Sequence, residues 1–126
     1  MNYYQTILHQ IREQHYPPQY QLQKIIAARN FIDANLCNEI MLKDMAADAC
    51  LSAFHFIRLF KKCYGRTPHQ YLMDARIEKA KELLLAGNNI MQTCYSLGFA
   101  STTSFSGLFK KNTGISPSQY RLKKQF

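Results

Sequence analysis

From Ser52 to Tyr71 the chain reads SAFHFIRLFKKCYGRTPHQY, and from Ser101 to Tyr120 it reads STTSFSGLFKKNTGISPSQY. At this offset of 49 residues, ten of the twenty positions are identical: Ser52/Ser101, Phe56/Phe105, Leu59/Leu108, Phe60/Phe109, Lys61/Lys110, Lys62/Lys111, Gly65/Gly114, Pro68/Pro117, Gln70/Gln119 and Tyr71/Tyr120. Agreement this dense is not chance, so one structural unit is built twice. Each copy opens on a serine suited to N-capping and carries apolar residues at helical spacing. Each then has a lysine pair and a glycine stop, followed by a Thr-Pro or Ser-Pro restart. In the first copy Phe56, Leu59, Phe60 and Cys63 stand at i, i+3, i+4 and i+7, which predicts a buried stripe.

The rest of the chain reads as helix throughout. Tyr4, Ile7, Leu8 and Ile11 predict a short amphipathic helix within 2–15, stopped by Pro17-Pro18. Leu22, Ile25, Ile26, Ala28, Phe31 and Ile32 predict a helix over 21–36, and Leu42, Met45, Ala46 and Ala49 a two-turn helix. Cys50-Leu51 make a tight turn before Ser52. After Thr67-Pro68 no breaker interrupts the pattern before Gly87. In the second copy Ile90 to Leu97 is a short helix, Gly98-Phe99 a turn, Ser101 to Asn112 the repeated helix, and Ser116-Pro117 the start of a last helix reaching about Lys124. Upstream of the repeated helix the offset drops from 49 to 48 (Cys50/Gly98), so the second turn is one residue longer. No stretch alternates as a strand does. The expected fold is all-α: an N-terminal amphipathic helix and Pro-Pro break (1–20), a first helix-turn-helix subdomain (21–66), a long connecting helix (67–87) and a second helix-turn-helix subdomain (88–126).

The formal charge of +8 favours an anionic partner, above all nucleic acid. The charge is uneven. No acidic residue follows Glu82, whereas Lys110, Lys111, Arg121, Lys123 and Lys124 do. No apolar run approaches the roughly 18 residues of a transmembrane helix, and the polar opening MNYYQTILHQ is no secretion signal, so the expected location is the cytoplasm. Cys37, Cys50, Cys63 and Cys94 form no CxxC pair; Cys63 and Cys94 read as reduced core thiols. No carboxylate pair, nucleophile–base pair or metal cluster emerges, and neither enzymatic activity nor a cofactor is expected.

A short helix, a tight turn and a second helix form the arrangement whose second helix enters the major groove of DNA. Opposite its buried stripe the Ser52 helix presents Phe54, Ile57, Arg58 and Lys61; the Ser101 helix presents Thr103, Ser106, Gly107 and Lys110, with Thr102 alongside. Ser52 and Ser101 cap helix N-termini whose dipole suits a phosphate. Lys61, Lys62, Lys110 and Lys111 are expected to pair with backbone phosphates further along. The connecting helix, from Pro68 to about Ala86, counts 19 residues, or roughly 28 Å at 1.5 Å per residue, against about 34 Å for a turn of B-DNA. One chain, acting as a monomer on DNA, is thus expected to reach two successive major grooves of the duplex. The rival reading is a protein-interaction module that docks a partner through the Phe54/Ile57 face and holds DNA loosely.

The segments LKDMAADACLSAFHFIRLFKKCYGRTPHQYLMDARIEKAKELLLAGNNI and CYSLGFASTTSFSGLFKKNTGISPSQYR resemble the AraC/XylS family of bacterial transcription regulators. The resemblance covers about residues 22 to 122 and is most specific over GFASTTSFSGLFKKNTGISPSQYR. It implies two helix-turn-helix subdomains joined by a long helix, and a promoter-proximal activator that binds double-stranded DNA and recruits RNA polymerase. Carried over residue by residue, it implies base reading by Ala53, Phe54, Ile57 and Arg58 in the first recognition helix and by Thr102, Thr103, Ser106 and Gly107 in the second. Three departures stand out. Cys50 occupies a turn position where glycine is common, Gly107 offers no side chain, and the second helix shows no Arg, Gln or Asn on its outward face.

Overall fold

The computed structural model describes residues 2–5 and 19–123. Most of the helix expected within 2–15 lies outside the described residues, as do Pro17-Pro18 and Lys124. The chain folds into α1 (Gln19–Ala34), α2 (Leu42–Asp48), α3 (Ala53–Tyr64), α4 (Pro68–Leu85), α5 (Ile90–Ser96), α6 (Thr102–Thr113) and α7 (Pro117–Leu122). Among the described residues there is no strand. The helices belong to two compact units. One takes in α1 as far as Phe31 with α2 and α3; the other takes in residues 32–40, α4 from His69 onward, and α5 to α7.

In the first unit α2 packs on α3. Ile25, Ala28, Ala46, Ala49, Phe56, Leu59 and Phe60 are buried. Ala46 on α2 and Ala49 at its C-cap are small, and the Phe56 and Phe60 rings of α3 are fully buried, each contributing about 1.5–3 kcal/mol. The stripe does not end as its spacing suggests. Cys63, expected in the core, is exposed. Phe60 is continued instead by Tyr64, whose ring centroid lies 4.9 Å away. Tyr64 also lies beneath the Arg29 guanidinium, at 5.4 Å. At the last turn of α3 a long aromatic side chain reaches back to the core, and a thiol does not.

The second unit is built along α4, whose Ile77, Ala80 and Leu84 are buried with Cys94, Leu97, Phe99, Phe105 and Phe109. Its aromatic rings form a continuous series: Phe99 to Phe105 at 5.1 Å, Phe105 to Phe109 at 5.7 Å and Phe109 to Tyr120 at 5.4 Å, the last edge-on. Cys94 is fully buried, as its neighbours in sequence suggest, and burial raises its thiol pKa.

Both turns between paired helices are closed by the same two hydrogen bonds. Cys50 N–H donates to Ala47 O (3.0 Å) and Leu51 N–H to Ala46 O (2.9 Å); Gly98 N–H donates to Tyr95 O (3.1 Å) and Phe99 N–H to Cys94 O (3.2 Å). This is the Schellman pattern, which needs one residue in the left-handed region at the helix end. Gly98 meets that need at φ 84, and Cys50 meets it with a side chain at φ 58.

Candidate nucleic-acid interface

Local chemistry sets both candidate recognition helices in the same way. At the start of α3 the Ser52 Oγ accepts a hydrogen bond from His55 N–H (3.1 Å), and at the start of α6 the Ser101 Oγ accepts one from Ser104 N–H (3.1 Å). Each satisfies one of the amide groups that a helix N-terminus leaves without an intrahelical partner. At the other end Gly65 and Gly114 adopt left-handed φ values of 73 and 86, and their N–H groups donate to Lys61 O and Lys110 O. The capping serine, the lysine pair and the glycine therefore mark the limits of one helix, twice.

On α3, Ala53, Phe54 and Arg58 are exposed and Ile57 is half-buried. Phe54 is 72% exposed, and the Arg58 guanidinium carbon lies over its ring, 5.7 Å from the centroid. On α6, Thr103 and Gly107 are exposed and Thr102 and Ser106 half-buried. The space around Gly107 is open, with nothing within 4 Å of an added Cβ. Lys61, Lys62, Lys110 and Lys111 are exposed in the last turns, where they also complement the negative helix ends; Ser52 is exposed and Ser101 half-buried. The two copies thus share their caps and cationic ends but differ in surface chemistry. One face carries an aromatic ring and a guanidinium, the other short hydroxyls and a glycine.

Arg76 lies against the turn that leads into α6, at Gly98 and Phe99, and its place there is not visible in the sequence pattern. It is only 6% exposed. Its Nε donates to Leu36 O (2.8 Å) and its Nη2 to Asn38 O (3.0 Å), while its guanidinium carbon lies 5.9 Å from the centre of the Phe99 ring. Burial lowers its pKa from the ordinary arginine value. An arginine at this point of an otherwise amphipathic helix reads as a solvated charge, because its carbonyl partners lie about 40 residues upstream. Arg121, one of the cations of the acid-free stretch, is likewise engaged internally and donates to Gly87 O at 2.9 Å. Asn89, whose side chain accepts from Gln92 N–H at 2.8 Å, caps α5; an Asn immediately before an apolar helix is the signal that could have found it.

Among the described residues no group of His, Cys, Asp or Glu is placed to hold a metal ion, and no helix is long and apolar enough to cross a membrane.

The family profile of a helix-turn-helix domain matches residues 45–123. The chain is 37% identical over 93 residues to the HTH-type transcriptional activator AarP of Providencia stuartii, an alignment covering 73% of this chain and 69% of that protein. It spans only 33–54% of the length of three other curated relatives that it matches. Among solved structures it is similar to a Chromobacterium violaceum transcriptional regulator of the AraC-type DNA-binding class, with a TM-score of 0.74 and 27% identity over 82% of this chain and 93% of that one. It is also similar to the DNA-binding domain of the transcriptional factor AdpA in complex with a target DNA, with a TM-score of 0.75 and 25% identity over 80% of this chain and 92% of that one.

Proposed function

The chain belongs to the AraC-type family of helix-turn-helix transcription regulators, and from that premise we propose that it is a cytoplasmic activator that occupies two successive major grooves as a monomer and recruits RNA polymerase to a nearby promoter. The observation that carries this reading is the duplicated, serine-capped helix with an exposed outer face and an exposed lysine pair in its last turn. Capped helix N-termini suit phosphates, and the paired lysines add contacts that release counterions. Base edges are then met by Ala53, Phe54, Ile57 and Arg58 in one groove and by Thr102, Thr103, Ser106 and Gly107 in the next. Ser52, Ser101 and the four lysines position the helices against the backbone.

Selection of binding sites from random DNA at two salt concentrations, followed by footprinting and a stoichiometry measurement, tests the whole of this reading. The expected outcome is a steep salt dependence and a protected site of roughly 15–20 base pairs bound by one chain. Two chains on such a site, each in one groove, would exclude the monomer. Salt-insensitive binding of a protein partner, with no DNA sequence preference, would favour a docking role for the Phe54/Ile57 face.

A further inference from the structure

We propose that Phe54 and Arg58 read DNA as one unit, in which the ring holds the guanidinium against a guanine and itself covers the methyl group of a thymine in the adjacent base pair. This rests on the reading of α3 as a recognition helix. It adds that the two side chains are coupled, and that the half-site under α3 must therefore carry a guanine with a thymine beside it.

The two residues stand four apart in α3, one turn from each other on the same face. The Arg58 guanidinium carbon lies 5.7 Å from the Phe54 ring centroid, within the range of a cation–π contact. Phe54 is 72% exposed, so this ring does not serve the core of its unit, which is filled by Phe56, Leu59 and Phe60 on the opposite side of the helix. In the proposed unit the exposed ring restricts an arginine side chain that is otherwise rich in rotamers. A guanidinium stacked on a ring keeps its in-plane N–H groups free to point away, and those groups are what hydrogen-bond guanine O6 and N7 together.

In the proposed complex the guanidinium closes from 5.7 Å onto the ring to stacking distance. Successive base pairs are about 3.4 Å apart along the duplex, so the ring then falls at the level of the neighbouring pair. In the major groove an apolar surface finds one distinctive partner, the thymine C5-methyl. The second copy supplies an internal control. The positions equivalent to Phe54 and Arg58 are Thr103 and Gly107, which carry neither ring nor guanidinium. The paired reading belongs to α3 alone.

The test uses the full 126-residue chain, its selected binding site, and the same site with deoxyuridine in place of each thymine in turn. The selected motif should contain a guanine with a directly adjacent thymine. Removing that one methyl should weaken binding about fourfold, the worth of one buried methylene-sized group. In Phe54→Ala the deoxyuridine effect should vanish and the guanine preference should fall several-fold with it, whereas Phe54→Tyr should keep both. Phe54→Ala combined with Arg58→Ala should lose less than the product of the two single losses. Because Phe54 and Arg58 are exposed, these variants keep the core intact, and a urea unfolding transition close to that of the parent chain confirms that they remain folded. Phe54→Ala with an undiminished guanine preference, or a thymine whose methyl is neutral, overturns the coupling while leaving the recognition-helix reading in place. A parent chain that binds DNA without any sequence preference overturns both.

Discussion

The guanidinium of Arg76 lies directly against Gly98, so that a Cβ added to this glycine would stand 3.0 Å from Nη2 and 3.3 Å from Cζ. Gly98 is the left-handed residue of the turn that leads into α6, and Arg76 is held in place by the carbonyls of Leu36 and Asn38. Two independent demands therefore fall on one position, a φ of +84 and the absence of a side chain. Gly98→Ala should destabilise the second unit by about 1–3 kcal/mol, combining left-handed strain with displacement of a hydrogen-bonded guanidinium. Urea denaturation checks the figure.

The equivalent residue of the first turn predicts the opposite sign. Cys50 holds φ 58 with a side chain, and it is exposed. Cys50→Gly removes the left-handed penalty and should stabilise the first unit by about 1 kcal/mol, offset in part by the greater freedom of glycine in the unfolded chain. A rise in urea midpoint at unchanged slope is the expected readout. A drop would mean that the Cys50 side chain makes contacts worth more than the strain.

Gly107 sits within α6 with open space where a Cβ would go. Gly107→Ala should therefore gain close to the full propensity difference, about 1 kcal/mol. Gly107→Arg should also raise DNA affinity and introduce a base preference in the half-site under α6. Thermal melts and repeated site selection separate the two effects.

Arg58 should carry the strongest single base preference, because no other side chain proposed to meet bases on either outward face can hold guanine O6 and N7 together. Arg58→Ala should cost about 1–3 kcal/mol on the best site and relax specificity at a guanine. By contrast, Lys110→Ala or Lys111→Ala should flatten the slope of log affinity against log salt by about one unit and leave the preferred sequence unchanged. Titrations at several salt concentrations distinguish the two classes of contact.

The selected motif should be unequal, with most of its information under α3. Phe54, Ile57 and Arg58 discriminate among bases, whereas the hydroxyls of Thr102, Thr103 and Ser106 accept and donate to several of them. Equal information in both halves would contradict this division.

Much of this protein is legible in its sequence because the signals are local. Ser52 and Ser101 as caps, Gly65 and Gly114 as stops and the Phe-x-x-Leu-Phe spacing each depend on residues within two turns, and in each case the structure has the helix they indicate. The repeat adds what one copy could not, since identical residues at an offset of 49 must answer the same structural demand. Even the strain at Cys50 follows from its alignment with Gly98. Tertiary structure decided the rest, because identical or similar residues met different neighbours. Cys63 continues the helical stripe in sequence, yet it is exposed, since the core is continued by the longer ring of Tyr64. Tyr71 and Tyr120 are repeat partners, but Tyr71 Oη donates to Asp33 while Tyr120 packs edge-on against Phe109. Arg76 looks like any surface cation of a helix and is buried, because carbonyls at Leu36 and Asn38, far upstream in the chain, are brought to it. Periodicity tells a residue which way it faces along its own helix; what lies opposite is settled only when distant segments pack.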